Sequence, residues 1–214
     1  LLETHAPGQR FADELANVQA ALARHAVRIE GRTPLPVIAQ RTAAMLDRVL
    51  DHPLLPEGAA TPVRLGALPR AARRSELTFH FVLQSASLSA LRAACTAHGE
   101  PGLVPHGGVE HLSGWMEGSI DLVFEHAGRA HVLDWKSNAL ASAEAALPEA
   151  LTAKMDASHY RFQALLYTVA LHRLLRLRLG ARYRIAEHLG APVYLFLRAV
   201  GLAPGHGLGV WSRR

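Results

Sequence analysis

The sequence predicts an α/β fold: a single domain in which a mixed β-sheet is flanked by helices. Three observations carry that expectation. Half of the 214 residues are hydrophobic and 19% are charged, which supplies a core for a chain of roughly one-domain length and argues against long disorder. Apolar residues recur every three or four positions within the first fifty residues and again after position 159, the period of a helix. Runs rich in β-branched and aromatic residues lie between and after these stretches, as strands require. Helices, then strands, then a helix and a further strand is the order of a mixed α/β layer architecture.

Element by element, Phe11–Ile29 reads as a helix, with Phe11, Leu15, Val18, Leu22 and Ala26 at helical spacing. Val37–Leu50 reads as a second helix after Pro34 and Pro36, and the proline-rich stretch Asp51–Pro69 as a connector. Leu77–Leu83 is expected to be a strand, Ala86–His98 a helix and Gly99–Gly108 a loop. Trp115–Glu125 and Arg129–Trp135 read as two strands joined at His126-Ala127-Gly128. Ser142–Asp156 is expected to be helical with an interruption at Pro148, and His159–Leu179 is the clearest long helix. Pro192–Val200 is apolar without alternation, the pattern of a strand buried on both faces, and Gly201–Gly209 is a loop.

Composition excludes several classes. No apolar run approaches the roughly 20 residues of a membrane-spanning helix. The lone Cys95 excludes a disulfide framework and a cysteine zinc site, and suits a small apolar packing role better than a nucleophile. Thirteen histidines include no H-E-x-x-H, and no G-x-x-x-x-G-K-[ST] is present, so zinc and ATP are not expected. The chain begins at Leu1 without a signal-peptide pattern and reads as part of a longer protein. Its formal charge of +5 favours polyanionic partners. Lys136 and Lys154 are its lysines, so the arginine-rich balance also fits a compositional bias.

Chemistry concentrates in Gly118-Ser119-Ile120-Asp121 and Val132-Leu133-Asp134-Trp135-Lys136-Ser137-Asn138. A hairpin turning symmetrically about Ala127-Gly128 sets Asp121 opposite Asp134, and Lys136, two residues on, shares the Asp134 face. Opposed carboxylates among apolar neighbours repel unless compensated. A hard divalent cation such as Mg²⁺ resolves the conflict, because it takes a few carboxylates plus waters. With an ammonium beside it, such a site suits phosphodiester hydrolysis. On spacing alone, an ordinary Asp134–Lys136 ion pair with a solvated Asp121 stays open. Gln163 and Tyr167, at i and i+4, either satisfy each other in the core or reach the site. Arg173, Arg176, Arg178, Arg182 and Arg184 cluster around the end of the same helix, where they complement its dipole, contact phosphates or meet an acidic partner.

These residues carry a resemblance. Gly118–Phe124, reading G-S-I-D-L-V-F, and Leu133–Asn138, reading L-D-W-K-S-N, resemble the core of the PD-(D/E)XK nuclease superfamily, and within it the C-terminal nuclease domains of the RecB subunits of bacterial exodeoxyribonuclease V. Gln163 and Tyr167 match the family's Q-x-x-x-Y helix, Tyr194–Arg198 its following strand, and Glu76 the place of an upstream acidic residue. The family's first motif, G-T-x-x-H, which supplies a metal-binding histidine, has no match; it is expected just upstream of Leu1, with His5 the nearby candidate to replace it.

The resemblance implies a restriction-endonuclease-like fold, with residues 1–70 a helical part and 76–200 the nuclease core. It implies a Mg²⁺-dependent exodeoxyribonuclease, with Mn²⁺ able to substitute, acting in double-strand-break processing and recombinational repair in the bacterial cytoplasm. Asp121 and Asp134 become metal ligands with the Trp135 carbonyl, Lys136 the catalytic cation, and Glu76, Gln163 and Tyr167 supporting or DNA-contacting residues. The implied partners are DNA, chiefly single strands, the helicase part of the same chain, RecC- and RecD-type subunits and RecA recombinase. A catalytically weak docking platform for these partners is the alternative.

Overall fold

The computed structural model describes residues 1–2, 5–25, 33–107, 109–202 and 207–213. Helices α1 (Leu15–Arg24) and α2 (Leu35–Asp51) precede strand β1 (Arg73–Ser87), helix α3 (Leu88–Ala97) and the strands β2 (His111–His126) and β3 (Arg129–Lys136). Helices α4 (Pro148–Ala157), α5 (Tyr160–Leu179) and the short α6 (Ile185–His188) lead to β4 (Val193–Phe196) and β5 (Val210–Ser212). The five strands form one sheet in sequence order. All neighbours are antiparallel except β3 and β4, which are parallel. That single parallel pair is why α4 to α6 exist where they do: a parallel pairing needs a long crossover, and helices are its usual form.

Each sheet face carries its own helical cover. Ala39, Ala43, Leu46, Val49 and Leu50 of α2 pack with Leu122, Phe124, Leu133, Val193 and Leu195. On the other face, Leu151 and Met155 of α4 and Ala164 of α5 pack with Tyr194, Phe196 and Trp211, while Leu171 of α5 packs with Ile120 and Val132. β4 sends alternate residues into both cores and is fully buried, as its unbroken apolar run predicts. Asp47 is buried in α2, where its carboxylate accepts the backbone N–H groups of Phe11 and Ala12 at 2.8 and 3.1 Å. A buried carboxylate is tolerable there because it meets otherwise orphaned donors.

Several expectations need correction. Pro148 does not interrupt a helix but begins α4, where its missing N–H has no intrahelical partner to lose. β1 is 15 residues long, well beyond Leu77–Leu83, because pairing with the length of β2 satisfies backbone groups that local propensity leaves undecided. The helix expected from Ala86 begins at Leu88, after Ser87 accepts the N–H of Ala90 through its hydroxyl. β4 ends at Phe196 and the chain turns over 197–200. Strand β5 and helix α6 are additions to the sequence reading. Cys95 is half-buried on α3. The end of the expected first helix, at 26–29, position 108 of the Gly99–Gly108 loop and positions 203–206 of the last loop lie outside the described residues.

His131 is a structural histidine. It is 2% exposed, stacks on Phe124 at 4.9 Å, and sets Nδ1 3.0 Å from the Ala191 carbonyl. A side chain at Gly190 would strike its ring. Burial holds the imidazole below its ordinary pKa, in its neutral form.

Candidate active site

The β2–β3 hairpin has the register its sequence predicts, from His126 opposite Arg129 to Leu122 opposite Leu133. One further step brings Asp121 to Asp134. The ladder stops there, and Asp121 takes over its role: Asp121 Oδ2 accepts the backbone N–H of Trp135 at 2.9 Å. On the other side of β2, Ser75 pairs with Leu122 and Leu77 with Ile120, so the skipped pair is Glu76 and Asp121. Glu76 has φ of 48°, a left-handed conformation that costs a non-glycine residue on the order of 1 kcal/mol or more. Alternation is broken at the same point, since Leu122 joins the α2-side core and Ile120 the α5-side core. Glu76, Asp121 and Asp134 therefore occupy one row across three strands, at a local distortion of the kind found beside active sites.

Gly118 is required by packing. The Phe79 ring lies over it, and a Cβ there would sit 2.6 Å from that ring. The Phe79 ring in turn meets Tyr167 edge-on at 5.9 Å, so the glycine that opens the β2 motif lets β1 and α5 close over the strand.

Asp134 is 4% exposed, and its Oδ2 lies 2.6 Å from Lys136 Nζ. The distance is that of a tight ion pair, and beyond the Lys136 ammonium no further donor reaches this buried oxygen among the described residues. Lys136 Nζ donates to Gln163 Oε1 at 3.0 Å and sits 3.8 Å above the Tyr160 ring. Gln163 Nε2 donates to Tyr167 Oη at 2.9 Å, and Tyr194 Oη donates to Gln163 Oε1 at 3.3 Å. Tyr160 Oη donates to Asn138 Oδ1 at 3.2 Å. Both readings of the Gln163–Tyr167 pair thus hold together: the two side chains satisfy each other, and through Gln163 they seat the ammonium. The ordinary ion pair of Asp134 and Lys136 is also present, but Asp121 is half-buried and hydrogen-bonded, not solvated.

Burial raises the Asp134 carboxyl to about 6, opposed by the Lys136 ammonium and reinforced by Asp121. Burial likewise raises Asp121, with the Trp135 N–H and Lys136 pulling it down and Glu76 pushing it up. Two acids held above their ordinary range by burial and, less, by a neighbouring carboxylate are poised for a cation, which removes both penalties. In an extended strand a residue's N–H and C=O point to the same edge. Trp135 aims its N–H at Asp121, and Lys136 aims its C=O at the N–H of Leu197, 3.0 Å away. The Trp135 carbonyl therefore faces the Asp121 side. Two carboxylates, one of them almost fully buried, and this carbonyl are a hard, oxygen-only donor set, and they fit a divalent metal of the Mg²⁺ kind.

His5 does not join them. It packs against Phe11 at 4.8 Å, its carbonyl accepts from Arg73, and burial lowers its pKa. Among the described residues no three His, Cys, Asp or Glu side chains converge on one point, and the contacts of His5, the nearby candidate, are with Phe11 and Arg73. Glu76 is exposed and accepts from the Ser119 hydroxyl at 2.8 Å. Sequence reasoning missed Tyr160 and Tyr194. Tyr160 stands one helical turn before Gln163 and was open to discovery by spacing; Tyr194 reaches the site through the β3–β4 register, Asp134 opposite Tyr194.

The charge on Asp134 has a measurable consequence with metal chelated. Its folded pKa of about 6 exceeds the ordinary 3.8, so its stabilising contribution is complete below pH 3.8 and is lost as pH rises through about 6. The loss is on the order of 3 kcal/mol. Asp134→Asn is expected to remove this dependence, gaining stability over the wild type between pH 4 and pH 7 in EDTA. Parallel melting-temperature curves for the two proteins would show that Asp134 is not held charged against its burial.

Residues 14–201 match the PD-(D/E)XK nuclease superfamily. The chain is 48% identical over 90 residues to the RecBCD enzyme subunit RecB of Escherichia coli K12, a match covering 42% of this chain and 8% of that protein. It is 33% identical over 239 aligned positions to the RecB subunit of Mycobacterium tuberculosis, covering 99% of this chain and 21% of that protein. The corresponding figures for Mycolicibacterium smegmatis RecB are 32% over 241, 99% and 21%. The chain therefore spans about a fifth or less of the length of these relatives.

Proposed function

The chain belongs to the PD-(D/E)XK nuclease superfamily as a RecB-type nuclease domain, and from that premise we propose that it hydrolyses phosphodiester bonds in DNA with Mg²⁺ as cofactor, Mn²⁺ able to replace it. The observation that carries this is the convergence of Asp121, Asp134 and Lys136 where the β2–β3 ladder ends, with the Asp134 carboxylate buried against the Lys136 ammonium. Asp121, Asp134 and the Trp135 carbonyl would hold the cation. When bound, it supplies a water of lowered pKa and charge stabilisation at the phosphoryl group.

The chain's own residues do the rest. Lys136 offers an ammonium whose position is set by Gln163 and the Tyr160 ring. It neutralises charge developing on a phosphoryl oxygen or orients the attacking water. Ring and amide seat the cation without an anionic partner beyond Asp134, so its field stays available to substrate. Burial raises the pKa of the Tyr194 phenol, and nearby Asp134 adds to the effect, so the phenol remains a donor to Gln163. Residues 76–200 form the nuclease core in this proposal and residues 1–70 its helical flank.

The relatives are subunits of RecBCD enzymes. By that likeness the proposal extends to an exodeoxyribonuclease V type activity in break processing and recombinational repair. DNA, chiefly single strands, would be delivered by a helicase part with RecC- and RecD-type subunits in the bacterial cytoplasm, and RecA would dock on this domain. Among the described residues no helix is long and apolar enough to cross a membrane.

Incubation of the chain with an end-labelled single-stranded oligonucleotide tests the proposal. Cleavage is expected with Mg²⁺ or Mn²⁺ and none with EDTA. Equal cleavage in EDTA, or none at any metal concentration, overturns it; the latter, with recombinase still bound, favours a docking platform.

A further inference from the structure

β1 and β2 run on beyond the part of β2 that pairs with β3, forming a two-stranded ribbon from Leu77–Ile120 to Ser87–His111. The second half of α5 lies beside it. Between them is a groove of about 880 Å³. Leu77, Phe79 and Phe81 line its strand side, and Arg173, Arg176 and Arg178 line its helix side together with Leu174 and Leu177. No Asp or Glu is among the lining residues.

The three arginines are exposed, and among the described residues no carboxylate lies within ion-pair distance of them. Arg173 stacks its guanidinium on the Phe81 ring at 4.7 Å, which holds the fork in place. Arginines at a helix end can simply complement the dipole. Arg173 is two turns from that end, however, and its contact is with the strand side.

The groove is continuous with the candidate active site. Leu77 and Ile120 are the chain neighbours of Glu76 and Asp121. Phe79 abuts Tyr167, which accepts from Gln163, and Gln163 in turn accepts from Lys136. From Tyr167 to Arg178 the helix advances about 16 Å at 1.5 Å per residue. An acid-free channel of that length, with the Phe79 and Phe81 rings on one wall and three guanidinium groups flanking Leu174 and Leu177 on the other, matches an unstacked nucleic-acid strand. Bases lie against the apolar wall and phosphates meet the arginines. A duplex hides its base faces and cannot use the rings.

We infer that the β1–α5 groove is the track along which a single DNA strand lies next to the phosphodiester-cleaving site. This rests on the nuclease proposal for its direction, but not for its measurement. The test is fluorescence anisotropy of a labelled oligothymidine with the chain in EDTA, where nothing is cut. Arg173→Ala/Arg176→Ala/Arg178→Ala is expected to bind at least about 10-fold more weakly. Its dependence of log affinity on log salt should be shallower by about 2, from a single-strand slope of about 0.7 per phosphate contact. The variant Arg24→Ala/Arg41→Ala/Arg70→Ala, with the same charge removed from exposed positions off the groove, is expected to bind within about twofold of wild type. Melting temperatures check that all variants fold, as exposed positions allow.

Wild-type affinity in the groove variant overturns the inference, as does an equal loss in the off-groove variant. Duplex binding as tight as oligothymidine binding and equally dependent on the three arginines overturns the single-strand assignment. Unchanged oligothymidine binding with loss of poly-glutamate binding overturns it in favour of an acidic protein segment. Groove binding without metal-dependent cleavage would sink the nuclease proposal while leaving the track standing.

Discussion

Asp134→Ala and Asp121→Ala are each expected to lower metal-dependent strand cleavage by more than about 100-fold. Losing even a group that only orients a metal ligand commonly costs 10–100-fold, and these are the two carboxylates of the donor set. The variants should differ in a second respect. Asp121 also replaces a ladder bond by accepting the Trp135 N–H, so Asp121→Ala leaves that donor unpaired and is expected to cost about 1–3 kcal/mol of stability. Asp134→Ala removes a carboxylate whose burial is unfavourable, although it leaves Lys136 without its counter-charge. Calorimetric titration of Mn²⁺ should show weakened binding in both. Cleavage near the wild-type rate in either protein would remove that residue from the metal site.

Lys136→Met is expected to retain metal affinity and lose turnover, by about 10²–10³-fold, the usual cost of removing one group that stabilises charge developed in the transition state. Methionine keeps a linear apolar stem in a side chain that is only 11% exposed, so packing against Tyr160 should persist. Lys136→Arg is expected to restore little, because Gln163 Oε1, Asp134 and the Tyr160 face enclose a compact ammonium and a planar fork has a different shape. Single-turnover rates at saturating metal separate the two effects. An unchanged rate for Lys136→Met would demote the lysine to the partner of a structural ion pair.

How much of this was legible in the sequence depends on the distance over which each interaction acts. Helices α2 and α5 follow from apolar spacing, and the β2–β3 register from a two-residue turn centred on Ala127-Gly128. Motif order pointed to Asp121, Asp134, Lys136, Gln163 and Tyr167 together, and the structure brings these five into one neighbourhood. Glu76 stands in the same cross-strand row but at an exposed position, with its own hydrogen bond to Ser119. His5, the nearest candidate for a further ligand, belongs to the α2-side core.

Local pattern therefore determined the elements, the hairpin register and the residue types available for chemistry, because helical period, strand period and turn geometry act within a few residues. Tertiary structure decided the rest. The full length of β1, the existence of β5 and the parallel placement of Tyr194 beside Asp134 depend on which strands pair. The left-handed Glu76 and the break in alternation at Asp121 exist because three strands and α5 must pack around one row of acids. The charge state of that row is also tertiary. A carboxylate's pKa depends on the water excluded from it and the cations near it, and for Asp134 those are set by β4, α5 and Lys136, groups a sequence lists far apart and only folding brings within a few ångströms.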